Sequence, residues 1–157
     1  SDDAGNGIGV DQNGSAYVTG FFRGTADLNP GDGNAGDVSA GQQDIFVVGV
    51  DTFGELLWAN SMGGTSSDIG NAITVTSTGK LHVTGLFTGS VDFDPNTGTT
   101  TLASVGGTDI FVQRLNSDGT LVWAKSTGGG AGVPGLQYGV HVFVFPAEGK
   151  WTTIHQD

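Results

Sequence analysis

The sequence predicts an all-β chain built from tandem four-stranded antiparallel repeats. Three observations predict it. Residues 1–64 align with residues 66–129 without a gap, and 28 of the 64 paired positions are identical. Short β-type runs alternate with turn residues through both copies. The composition leaves little for helices: 29 Gly and 14 Asp stand among 157 residues, Ala, Leu, Glu and Lys are few, and Val, Thr, Phe, Ile and Gly dominate.

Each copy opens with a glycine-rich run, "DAGNGIGV" in the first and "DIGNAITV" in the second. The first copy is expected to hold strands at 6–11, 16–22, 44–50 and 56–61, and the second at 71–76, 81–87, 109–115 and 121–126. "DQNGS" and "TSTGK" join the first two strands of each copy, while "DTFGE" and "NSDGT" join the last two. All four connectors carry Gly in their fourth place, just before the next strand, as a tight hairpin with a left-handed residue requires. The middle connection, 23–43 or 88–108, is long and carries an acidic motif. A third, partial copy starts near Tyr138 with "YGVHVFVFPAEGKWTT" and should add strands at 139–145 and 150–154. The chain therefore divides into repeat 1 (residues 1–65), repeat 2 (66–130) and a divergent partial repeat 3 (131–157).

In "DIFV", Ile45 and Val47 point to one face of their strand while Phe46 and Val48 point to the other. A single sheet cannot bury both apolar faces, so such sheets must stack. Four antiparallel strands per repeat, repeated in tandem, is the blade pattern of a β-propeller, with a two-sheet sandwich as the competing architecture. On this reading Phe46 and Phe111 are equivalent and both buried between neighbouring sheets. Two repeats and two further strands supply about ten strands, whereas propellers use about four to eight blades of four. An incomplete propeller, or one closed by oligomerisation, is expected. The partners are the chain itself, as a ring or filament, or the remainder of a longer polypeptide. The alternating Val142, Phe143, Val144 and Phe145 are the expected contact.

The ordered set "YVTGFFRGTADLNPG", "GQQDIFVVGVDTFGELLWANSMGG" and its second occurrence resembles bacterial β-propeller repeats of the SBBP type. The resemblance covers residues 1–129 and fades after Gly135. It implies a propeller fold and export from the cell, and it brings no catalytic activity with it.

A formal charge of −11 with five scattered Lys and Arg residues excludes nucleic acid and disfavours an anionic membrane surface. No apolar run approaches a bilayer span. The first residues read as mid-domain sequence, so a leader is expected to have preceded them. The Asp-rich, Lys-poor composition fits an extracellular or cell-surface protein.

Asp92, Asp94 and Asn96 recur at alternate positions before Gly98, and Asp27 and Asn29 match them in the first copy. Alternating oxygens are how a calcium loop begins, so these five residues are candidate Ca2+ ligands, although no cofactor is required. The set is incomplete: Gly98 comes one residue late for an EF-hand, no bidentate Glu follows, and Gly31 replaces the third ligand. The competing reading, which these gaps favour, is a pair of Asx turns closing on a proline. Trp58 and Trp123 fit either sugar platforms or packing between blades, and repetition favours packing. Trp151, in the divergent copy, is the candidate ligand-binding aromatic. "GNGIG" at 5–9 and "GGGAGVPG" at 128–135 are similar to phosphate loops but open no recognisable helix. His82, His141 and His155 lack a Ser elbow and metal-ligand spacing, so no catalytic residue is assigned. The leading expectation is a non-enzymatic extracellular structural or interaction module. A lectin-like propeller that binds glycans is the alternative, and a secreted glycan-active enzyme the weaker one.

Overall fold

Runs rich in β-branched and aromatic side chains, punctuated by Gly, fold as strands and hairpins. A computed structural model describes residues 2–129. Its strands are β1 (Ala4–Val10), β2 (Ala16–Phe22), β3 (Thr25–Asp27), β4 (Gly36–Val38), β5 (Asp44–Val50), β6 (Leu56–Met62), β7 (Ile69–Val75), β8 (Leu81–Asp92), β9 (Thr101–Leu115) and β10 (Leu121–Thr127). The described residues are all-β, without a helix. Sheet 1 has the order β1-β2-β5-β6, sheet 2 the order β7-β8-β9-β10, and β3 and β4 form a separate two-stranded ribbon. Every pairing within these sheets is antiparallel, and among the described residues no sheet closes on itself.

The strands at 16–22 and 44–50 fall where the sequence places them. The first strand of each sheet starts two residues earlier than expected, at Ala4 and Ile69, because Gly5 and Gly70 pair with Gly20 and Gly85 instead of turning. In sheet 2 the ribbon is continuous with the sheet: Ser90–Asp92 pair with Thr101–Ala103, which lengthens β8 to 12 residues and β9 to 15. The hairpin glycines Gly14, Gly54, Gly79 and Gly119 have φ between +73° and +87°, the left-handed conformation expected of them. Asp11 caps its hairpin by accepting the N–H groups of Asn13 and Ser15, and Asp51 does the same for Phe53 and Glu55.

The two sheets share one core. Tyr17, Ile45, Val47 and Met62 of sheet 1 pack with Ile73, Leu81, Val83, Phe87 and Phe111 of sheet 2. Close approach depends on the glycine-rich opening run: a Cβ on Gly7 would lie 2.9 Å from Ala72 Cα, and one on Gly9 2.9 Å from Val75 Cγ2. "GNGIG" thus lies in β1, where its glycines let β7 approach the backbone. One expectation needs correction. Phe111 is fully buried, but Phe46 is only half-buried, because sheet 1 presents Phe46 on the face turned away from sheet 2.

Candidate functional site

The acidic loops are built from local hydrogen bonds. Asp27 Oδ1 accepts the N–H of Asn29 at 3.0 Å and of Ala35 at 2.9 Å. Asp92 Oδ1 accepts the N–H of Asp94 at 3.0 Å and of Thr100 at 2.8 Å. Asn29 Oδ1 then takes the N–H of Gly31, and Asp94 Oδ1 that of Asn96. These are successive Asx turns in both copies. The N–H groups of Ala35 and Asn29 hold the Asp27 carboxyl below its ordinary range. The closing glycines make room for the second side chain: a Cβ on Gly33 would lie 2.2 Å from Asn29 Nδ2, and one on Gly98 2.1 Å from Asp94 Oδ2. Asn96 turns its amide outward toward Gly119 O, 3.5 Å away. Among the described residues no group of three or more His, Cys, Asp or Glu is placed to hold a metal ion.

What these turns deliver is the residue between the two acids. Phe93, between Asp92 and Asp94, is fully buried, edge-on to Phe87 at 5.3 Å and 4.8 Å from Phe111. Gln113 Nε2 donates to Phe93 O at 2.7 Å and meets Met62 Sδ of sheet 1 at 3.1 Å. The loop of sheet 2 is therefore a plug for the seam between the sheets. In sheet 1 the matching residue is Leu28, and there the seam is open. A groove of about 640 Å3 lies against that face, walled by Phe22, Leu28, Pro30, Phe46, Val48 and Val50, with Asp27 and Asn29 also lining it. This groove is the candidate site.

Exposure is reciprocal at two pairs of equivalent positions, while Phe22 and its counterpart Phe87 are both fully buried. On the groove face Ile8 is 65% exposed, while its counterpart Ile73 on the sealed face of sheet 2 is 4% exposed. The opposite faces show the reverse, with Val47 at 0% and its counterpart Val112 at 36%. Gly119 is buried beneath the Trp58 ring, whereas its counterpart Gly54 is exposed and lines the groove.

Polar bonds lock the closed seam. Trp58 Nε1–H donates to Ser117 O at 2.8 Å, Asn60 Nδ2 to Gly119 O at 2.8 Å and Asn6 Nδ2 to Gly70 O at 2.9 Å. Three acids that the sequence reading passed over are buried nearby. Asp68 accepts the N–H groups of Gly64 and Thr88, Asp44 that of Ala40, and Asp109 that of Val105. Burial pushes the Asp44 and Asp68 carboxyls above the ordinary range. Asp44 Oδ1 and Asp109 Oδ1 have no hydrogen-bond partner among the described residues and lie over Gly63 and Gly128, which no side chain larger than hydrogen would permit. The available signal was an Asp opening each apolar "DIFV" strand, matched 19 residues later by a Gly-Gly pair.

The structure does not gather the remaining candidates at the groove. Trp58 is committed to the seam. Trp123 is half-buried, its ring 6.1 Å from His82, whose pKa is lowered by burial and by Arg114. Trp151, Val142, Phe143, Val144 and Phe145, with His141 and His155, lie outside the described residues. No helix among the described residues is long and apolar enough to cross a membrane. No family model matches the chain, and no curated protein matches it.

Proposed function

We propose that the two sheets are neighbouring blades of a β-propeller, and that the protein is a non-enzymatic extracellular module whose working surface is a blade face. The single observation that carries this reading is the reciprocal exposure of equivalent residues. Among the described residues, the face covered in sheet 2 is open in sheet 1 at Ile8, and the face covered in sheet 1 is open around Val112. Surfaces of that kind are complementary by repetition, so stacking can continue beyond one seam. The SBBP-type resemblance of residues 1–129 supports the same architecture and the extracellular setting.

Half-buried Phe46 and Val50 give the groove apolar area, with Asp27 and Asn29 beside them. The complementarity of repeated blade faces is what favours a polypeptide over a sugar. The two halves of the proposal have separate tests. A broad glycan array, read with tryptophan fluorescence, should stay silent, and glycan turnover abolished by changing one Asp would overturn the non-enzymatic reading. Blade stacking is tested by Phe111→Ala: unchanged stability would remove it.

A further inference from the structure

We infer that the groove of sheet 1 is a docking surface for a second copy of this chain, seated head to tail through the Val112 face of its sheet 2. The inference rests on the blade reading above and names the partner of that groove.

The closed seam supplies the template. There Asn60 of β6 reaches Gly119 O, beside Asn116 and Thr120 of the facing hairpin. Every one of these four positions has a counterpart at the open ends. Lys125 stands where Asn60 does: it pairs with Val112 in β9 as Asn60 pairs with Val47 in β5. On the groove side, Gly54 stands for Gly119, Asp51 for Asn116 and Glu55 for Thr120. A neutral pair within the chain thus becomes a cation facing two acids between chains. Asp51 is occupied in capping its hairpin, so exposed Glu55 is the carboxylate open to Lys125.

Arg114 strengthens the match, replacing Gly49 on the same face as Val112. Its Nε is shielded from solvent and has no hydrogen-bond partner among the described residues. Two of the chain's five Lys and Arg residues therefore lie on this one face, while Asp3 and Asp27 line the groove. At −11 per chain, two copies repel each other at long range. Selective placement of the cations is what orients one end toward the other.

Sedimentation velocity of the whole chain across micromolar concentrations tests the inference. The unaltered chain should associate with rising concentration. Ile8→Asp places a charge at an exposed position of the groove face, and Val112→Asp does so at the opposite end. Each variant alone should remain monomeric with an unchanged circular dichroism spectrum. Mixed in equal amounts they should form a dimer that grows no further, since each retains one intact end. Lys125→Glu and Glu55→Lys should each weaken association about tenfold, and the two changes together in one chain should restore it. A monomer at all concentrations overturns the inference, and so does a mixture that fails to pair. Blade stacking within the chain would survive either result if Phe111→Ala still destabilises it strongly.

Discussion

Trp58 of sheet 1 donates its indole N–H to the carbonyl of Ser117 in sheet 2, 2.8 Å away and 59 residues along the chain. The ring also covers Gly119, whose missing side chain lets the hairpin approach. A tryptophan that could have served as a sugar platform is thereby part of the joint between two sheets.

Trp58→Phe should keep most of the ring contact and lose the hydrogen bond. The bond lies near the surface, so the expected cost is about 0.5–1.5 kcal/mol by urea denaturation. A variant as stable as the parent would show that packing alone holds this corner.

Phe111 and Phe46 occupy equivalent positions, but only Phe111 is covered on all sides. Phe111→Ala should cost about 3–5 kcal/mol, and Phe46→Ala clearly less in the monomeric protein. Equal losses would mean that the groove is filled in solution.

This pair also shows how far the sequence could be read. Alternation in "DIFV" assigned Phe46 and Phe111 to one face, and Gly after each polar turn placed the hairpins. Which faces are covered is a property of the neighbouring sheet, and alternation within a strand carries no information about it. The same holds for Asp68, an ordinary acid in sequence that is buried while its counterpart Asp3 is exposed. Asp44 is buried instead by its own loop at Ala40 and by Gly63. Phe93 was hidden for another reason. One apolar residue between two aspartates has no periodicity, and the acids around it pointed to an Asx turn or an ion, neither of which says that the residue between them is buried.

The loops should fold without calcium. Melting temperature is expected to be the same in chelator and in millimolar calcium, while Asp94→Ala, which removes the acceptor for the Asn96 N–H, should cost about 1 kcal/mol in both. A melting temperature that falls in chelator and no longer responds in Asp94→Ala would place an ion in the loop.

Asp44 gives the protein a pH dependence of definite sign. Its carboxyl is raised by burial, with the charges of Asp68 and Asp37 adding to the shift. Its contribution is full below the ordinary aspartate pKa and is lost as pH rises through the folded value. Asp44→Asn keeps an acceptor for the Ala40 N–H and cannot ionise. Melting curves of the two proteins from pH 4 to pH 7 should therefore diverge in favour of Asp44→Asn as pH rises. A constant difference would mean that Asp44 titrates normally.

Phe93 also imposes an order on folding. The inner face of sheet 2 is complete only after the loop from Asp92 to Thr100 has closed and brought Phe93 against Phe87 and Phe111. Those contacts join residues close in the chain, whereas the Trp58–Ser117 and Asn6–Gly70 bonds span 59 and 64 residues. Closing the longer loops costs more chain entropy and returns nothing until both surfaces exist. Sheet 1, and sheet 2 with its Phe93 plug, should thus be the early units, and the docking of one against the other the late step that sets the folding rate.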